Sequence, residues 1–119
     1  MHDLTLYHNP RCSKSRQTLA LLQEAGTEPT VRLYLRQPPT ATELRSILQK
    51  LGLKARQLLR KGEPPYKELN LANPDLTEQQ LIAAMVAHPI LIERPILISG
   101  SRAILGRPPE NALQLLNPA

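Results

Sequence analysis

The pattern of apolar and polar residues predicts a βαβ unit at the start of the chain. Leu4–Tyr7 alternates with a period of two, and the turn-forming segment 8–10 follows it. The run 13–25 is rich in helix-forming residues and stops at Gly26, and 30–34 has the composition of a second strand. A strand, a helix and a strand in such a short stretch predict that the two strands are parallel.

The middle of the chain has the periodicity of helices rather than strands. Segments 40–43 and 77–80 have the Thr-x-x-Glu and Thr-x-x-Gln spacing of capping boxes. The first precedes an amphipathic run that stops at Gly52, and the second precedes another apolar helical face. A shorter helix is predicted over 55–60, and the proline pair 64–65 is expected to interrupt the helices.

The end of the chain returns to strands. Segments 96–99 and 103–105 are separated by a Gly-Ser pair and predict a hairpin, and a last helix follows the proline pair 108–109. The order β-α-β, helices, β-β-α predicts an α/β, thioredoxin-like fold with a mixed sheet. We therefore expect one domain over 1–119 with a helical insertion at about 40–88.

Composition narrows the classes of function. The formal net charge of +5 favours an anionic partner, while three Tyr with no Trp or Phe argue against a single-stranded nucleic-acid platform. The first residues do not resemble a signal peptide, and no apolar run approaches a membrane span. A single cysteine fits a reducing compartment. We expect a cytoplasmic monomer without nucleic-acid or membrane partners.

The single cysteine, Cys12, is the strongest candidate for chemistry. It lies between the first strand and the first helix, where free backbone N–H groups and the basic neighbours Arg11 and Lys14 favour a thiolate. The alternative is a buried, inert cysteine. Ser15 stands where a Cys-x-x-Cys motif has its second cysteine, so turnover through Cys12 needs a thiol from outside the chain. No spacing of histidine and cysteine indicates a metal site.

Three arginines are candidates for holding an oxyanion, because a guanidinium offers paired N–H donors. Arg94 precedes a proline at the entry to a strand, and a cis-proline there would aim Arg94 at Cys12 in a thioredoxin-type fold. Arg107 follows the hairpin, and Arg60 ends a predicted helix. For each arginine taken alone, a surface position is the favoured interpretation, and the spacing does not show that they converge. His8 could tune the thiol or simply cap the turn.

Taken together, these segments resemble a known family. Residues 8–16, His-Asn-Pro-Arg-Cys-Ser-Lys-Ser-Arg, resemble the signature of the glutaredoxin-coupled ArsC arsenate reductases. Further segments that resemble the family lie at 26–29, 58–61, 63–66, 88–96 and 106–108. One difference is Ser13-Lys14, where the best-known members have Gly-Thr.

The resemblance implies a function and a set of roles. Arsenate would be reduced to arsenite: the thiolate attacks arsenate, glutathione adds to the arsenic as co-substrate, and glutaredoxin reduces the adduct, with no bound cofactor or metal. Cys12 would be the nucleophile and His8 the histidine associated with its lowered pKa. The implied anion-binding residues are Arg60, Arg94, Arg107 and Ser15.

Two other functions remain open at this point. A Spx-like regulator that binds RNA polymerase would share the fold, but its switch normally uses two cysteines, and Ser15 replaces the second here. A general glutathione-dependent thiol reductase needs only Cys-x-x-Ser, but it leaves the three arginines without a role.

Overall fold

A computed structural model describes residues 4–116, and they form two compact units. The first unit runs up to Gln37 and resumes at Arg94, and the second spans Pro38–Glu93. Within 4–116, no helix is both long enough and apolar enough to cross a membrane. The single domain predicted over 1–119 stays a prediction, and its first and last three residues lie outside the described part.

A four-stranded mixed sheet is the centre of the first unit. Its order is β2-β1-β3-β4, in which β1 pairs parallel with β2 and antiparallel with β3, and β3 pairs antiparallel with β4. This arrangement confirms the predicted parallel βαβ pair, the terminal hairpin and the α/β, thioredoxin-like fold. The strands are β1 (Leu4–Tyr7), β2 (Thr30–Arg32), β3 (Ile96–Ser99) and β4 (Arg102–Leu105).

Helix α1 (Ser13–Glu24) and a 3₁₀ helix (Pro109–Leu116) pack against each other beside this sheet. Their contact and the sheet enclose an aliphatic cluster. Its buried residues are Leu6, Leu22, Leu97, Ala112 and Leu115. The burial of these side chains supplies the hydrophobic stabilisation that holds α1, and with it Cys12, against the sheet.

Strand β2 is shorter than the predicted 30–34. The carbonyl of Leu33 accepts hydrogen bonds from the N–H groups of Arg36 and Gln37, so the chain turns away from the sheet after Arg32. The predicted last helix is a 3₁₀ helix. The early end of β2 arises from local hydrogen bonds at the end of an element, where sequence patterns are least informative.

The second unit is helical, as the sequence predicts. Both capping boxes are formed, with Thr40 accepting from the N–H of Glu43 and Thr77 from that of Gln80. Helices α2 and α5 pack together and bury Leu44, Ile47, Leu48, Leu81, Ile82 and Met85. The helices are α2 (Ala41–Leu51), α3 (Ala55–Leu58), α4 (Pro64–Glu68) and α5 (Glu78–Ala87), followed by a 3₁₀ turn (Pro89–Leu91).

Two predictions for the helical segment were wrong in detail. The proline pair 64–65 begins α4 instead of interrupting a helix, because proline lacks only an N–H that the first helical turn leaves unpaired anyway. Helix α3 ends at Leu58 rather than at residue 60. Leu59 forms an antiparallel bridge with Ile92, and this pairing draws the chain out of the helix.

Candidate active site

The loop between β1 and α1 places Cys12 at the helix start. The N–H of Cys12 donates to the carbonyl of Asn9 at 3.0 Å, which closes a turn with Pro10 and Arg11 in the middle. The side-chain oxygen of Asn9 accepts from the N–H of Arg11 at 3.0 Å and stiffens the same turn. Cys12 is therefore the N-cap residue of α1, in an extended conformation.

The Cys12 thiol is partly buried and receives hydrogen bonds from the backbone at the start of α1 and from the side chains of Arg94 and Arg107. Burial raises its pKa, but three groups outweigh that effect: the backbone N–H of Ser15, the hydrogen bond and positive charge of Arg94, and the backbone N–H of Lys14. The pKa of Cys12 is thus lowered from the ordinary cysteine value. The result is a larger fraction of the nucleophilic thiolate at neutral pH.

Two of the three predicted anion-binding arginines lie beside this thiol. The Nη2 atom of Arg107 is 3.7 Å from the Sγ atom of Cys12, and its Nε donates to the carbonyl of Arg94 at 2.7 Å. Arg94 is only 8% exposed and precedes Pro95 through a cis peptide bond. The chain therefore brings two guanidinium groups to one sulfur, although they are more than 80 residues away in sequence.

His8 and Ser15 form a buried hydrogen-bonded pair at the start of α1. The Nδ1 atom of His8 lies 2.6 Å from the hydroxyl oxygen of Ser15, and that oxygen also accepts from the N–H of Asn9 at 3.0 Å. Burial, and then the charge of Arg16, lower the pKa of His8, which favours its neutral form. His8 contacts the start of α1 through the side chain of Ser15. The roles expected for His8 and Ser15 stay predictions.

Gly106 is a site residue that the sequence argument did not single out. A methyl group there would lie 2.6 Å from Oγ1 of Thr18 and 2.7 Å from Cγ of Pro95. Its N–H donates to the carbonyl of Pro95 at 2.9 Å. Only a glycine at this position, directly after β4, lets the chain approach both Thr18 of α1 and Pro95 this closely. The only sequence signal was its place in the Gly-Arg-Pro segment that resembles the family.

Arg60, the third predicted arginine, belongs to the second unit and has carboxylate partners there. Its Nη1 atom lies 2.5 Å from a carboxylate oxygen of Glu93, and its Nε lies 3.8 Å from that of Glu63. The backbone supports this pair, since the N–H of Arg60 donates to Leu91 and that of Glu93 to Leu58. The charge of Arg60 is thus already offset within its own unit.

The geometry is that of a nucleophilic thiol in an anion-binding setting. Thiolate, backbone N–H groups and two guanidinium groups meet at the start of α1, where an oxyanion could be held against the sulfur. Among residues 4–116, no group of three or more histidine, cysteine or acidic side chains could hold a metal ion. The site combines a single thiol with fixed positive charge.

Comparison with known proteins places the chain in a family. The sequence model of the ArsC family matches residues 7–115. The chain is 54% identical over 115 residues to the uncharacterised protein YfgD of Escherichia coli K12, covering 96% of this chain and 97% of that protein. It is 50% identical over 115 residues to an arsenate reductase of Haemophilus influenzae, covering 96% and 99%.

A solved structure gives the same result. The arsenate reductase of Vibrio cholerae matches with a TM-score of 0.92 and 48% identity, covering 95% of this chain and 97% of that one. The family segment contains Cys12, both arginines beside its sulfur, and Arg60. With a family match over most of its length and relatives near half identity, this chain belongs to the ArsC family.

Proposed function

We propose that this protein is an arsenate reductase that uses Cys12 as nucleophile, glutathione as co-substrate and glutaredoxin as the final reductant. The observation that carries the proposal is the Cys12 thiol, with Arg94 and Arg107 both directed at its sulfur. Relatives of similar length at about half identity bear the name arsenate reductase.

The number of thiols supports the coupling to external reductants. Reduction of arsenic(V) to arsenic(III) takes two electrons, and one oxygen of arsenate leaves as water with two protons. Two thiols supply those electrons when their sulfurs become a disulfide. The chain contains one cysteine, so the second sulfur must come from another molecule.

The sequence of reaction steps follows from this count of electrons and thiols. The Cys12 thiolate attacks arsenic and displaces an oxygen as water, and glutathione displaces a second oxygen to give a Cys12–S–As–S–glutathione adduct. A glutaredoxin thiolate then attacks the glutathione sulfur, and the S–As electron pair stays on arsenic, which becomes arsenic(III). Hydrolysis of the remaining S–As bond releases arsenite and restores Cys12. No resident cofactor is needed.

Positive charge at the site serves both binding and reactivity. Arsenate is an anion near neutral pH and is repelled by a thiolate, so the two negative groups come together only where fixed cations compensate them. Arg94 and Arg107 supply that compensation at the sulfur, and the N–H groups at the start of α1 add to it.

The test is arsenate-dependent oxidation of NADPH, coupled through glutathione reductase, glutathione and glutaredoxin. We expect turnover that requires arsenate, glutathione and glutaredoxin together. Cys12→Ser should abolish it, since serine keeps the shape of the side chain but lacks an accessible anionic nucleophile. Circular dichroism should show that the variant is folded.

The outcomes separate the candidate functions. Measurable turnover in folded Cys12→Ser would contradict the mechanism. Reduction of small disulfides without any response to arsenate would favour the general thiol reductase instead. Thr42→Ala, an exposed change on α2 in the second unit, serves as a control that should retain full activity.

A further inference from the structure

The first unit has a surface groove whose role the proposed mechanism does not assign. One wall is the loop that carries Asn9, Pro10 and Arg11, and the other is the turn after β2 with Leu33, Leu35 and Arg36. Its volume is about 410 Å³, which is within the range of small-ligand pockets, about 300–1,000 Å³. The side chain of Leu35 is 39% exposed, so apolar surface is open to a ligand there.

The charge of this groove has one sign. Arg11 and Arg36 are both exposed, and among residues 4–116 no acidic side chain lines the groove. Within the described residues, neither guanidinium group is engaged by a hydrogen bond or an ion pair. Two available cations on apolar walls complement a small ligand that carries carboxylates on a flexible, partly apolar chain.

The groove is also close to the reactive sulfur along the chain. Asn9, which lines it, accepts the hydrogen bond from the N–H of Cys12 that closes the turn. The Cα atoms at the two ends of such a turn lie within about 7 Å of each other. A tripeptide spans up to about 10 Å, so its central residue lies about 5 Å from either end, and its thiol can approach Cys12 while one terminal carboxylate contacts the groove.

We infer that the groove between the loop 8–11 and the turn 33–36 binds a carboxylate of the thiol co-substrate. Arg36 and Arg11 receive that carboxylate, and the central cysteine of the tripeptide then faces Cys12. This inference rests on the proposed function, because it takes glutathione, which has two carboxylates, as the second thiol. Arsenate itself binds elsewhere, at Arg94 and Arg107.

The test uses disulfides, so that arsenate is not needed. The Cys12 thiolate attacks glutathione disulfide, forms a Cys12–glutathione mixed disulfide and releases one glutathione thiolate, which mass spectrometry follows over time. The same rate is measured with the uncharged 2-hydroxyethyl disulfide. The ratio of the two rate constants cancels any change in the reactivity of Cys12 and reports on recognition of the charged ligand.

A series at Arg36 tests the charge, since this residue is remote in sequence from Cys12. We expect the ratio to fall about two- to fivefold in Arg36→Ala, as for other exposed ion pairs. It should fall further in Arg36→Glu and recover in Arg36→Lys. The differences should shrink at high salt, because salt screens exposed charges. Arg45→Glu, an exposed change on α2, controls for net charge.

Each outcome bears on the inference directly. An unchanged ratio in Arg36→Glu overturns it, as does a fall of equal size in Arg45→Glu. A falling ratio in the Arg36 series supports the groove even if the wild-type protein fails to reduce arsenate, in which case only the proposed function is lost. As a second measurement, S-methylglutathione should shift the amide NMR signals of 33–36 in the wild type, and absence of any shift there also overturns the inference.

Discussion

The arginines that were predicted to bind an oxyanion differ in their electrostatic surroundings between the two units. Beside Cys12, Arg94 and Arg107 are directed at a sulfur that becomes an anion. In the second unit, Arg60 faces the carboxylates of Glu93 and Glu63. One region thus holds positive charge ready for an anionic substrate, whereas the other has already offset it.

The difference shows why residue type alone does not define an anion site. A guanidinium that already has a carboxylate partner must exchange it for the substrate, and the gain is only the difference between the two interactions. A guanidinium next to a thiolate lowers the pKa of the thiol and also binds the incoming oxyanion. The comparison predicts unequal effects when these arginines are replaced.

Arg94 should give the largest effect among the arginines. Loss of a charge-assisted contact costs about 1.5–3 kcal/mol, so Arg94→Ala should reduce kcat/KM for arsenate by about 10- to 150-fold. Arg94→Lys should also be impaired, because an ammonium lacks the paired donors of a guanidinium. The coupled assay measures both, with Arg45→Ala as an exposed control. Equal activity in Arg94→Ala and Arg45→Ala would mean that the oxyanion binds elsewhere.

Gly106 tests whether the Cys12 site depends on close packing as well as on charge. Gly106→Ala places a methyl group against Thr18 and Pro95, and overpacking of this kind costs about 1–3 kcal/mol of unfolding free energy. Urea denaturation measures that loss. Gly62→Ala is the matched control, because Gly62, like Gly106, lies outside the left-handed region and no atom lies within 4 Å of the added carbon.

The same variant separates packing from catalysis. Because Gly106 lies between Pro95 and Arg107, the alanine should also raise KM for arsenate in the fraction that remains folded. A Gly106→Ala protein with wild-type stability and wild-type KM would show that the close approach is not required.

Arg60 should matter less than Arg94 if its carboxylate partners offset its charge. We expect Arg60→Ala to change kcat/KM for arsenate by about fivefold or less, the range of exposed ion pairs. An Arg60→Ala defect as large as that of Arg94→Ala would contradict the claim that the carboxylates of Glu93 and Glu63 offset the charge of Arg60.

The smallest expected effect is a shift in the pH dependence of Cys12 alkylation. Because the pKa of Cys12 is lowered, iodoacetamide should react with a midpoint below about 8.5, the value of an unperturbed cysteine. Removing Arg94 removes a group that favours the thiolate, so Arg94→Ala should move the midpoint upward. Arg60→Ala should leave it in place. A wild-type midpoint at or above the unperturbed value would refute the activated thiol.

Local patterns were sufficient for most of the elements. Alternation identified β1, and the Thr-x-x-Glu and Thr-x-x-Gln spacings identified the starts of α2 and α5, because a capping box involves only residues three positions apart. The place of Cys12 at a strand-to-helix turn was readable for the same reason. The ends of α3 and β2 were not, since a bridge to Ile92 and a turn at Leu33 decide them.

The order of elements, the cysteine at the start of α1 and the presence of a single cysteine could all be read from the amino-acid sequence. Which cations reach the sulfur depends on tertiary packing. Cys12 and Arg107 are 95 residues apart, and they meet because β4 packs closely against α1 and Pro95 at a glycine. Tertiary packing also brings Arg60 to Glu93, which is 33 residues away in sequence. Spacing encodes contacts within a turn or a helix, whereas contacts between elements depend on how their surfaces pack.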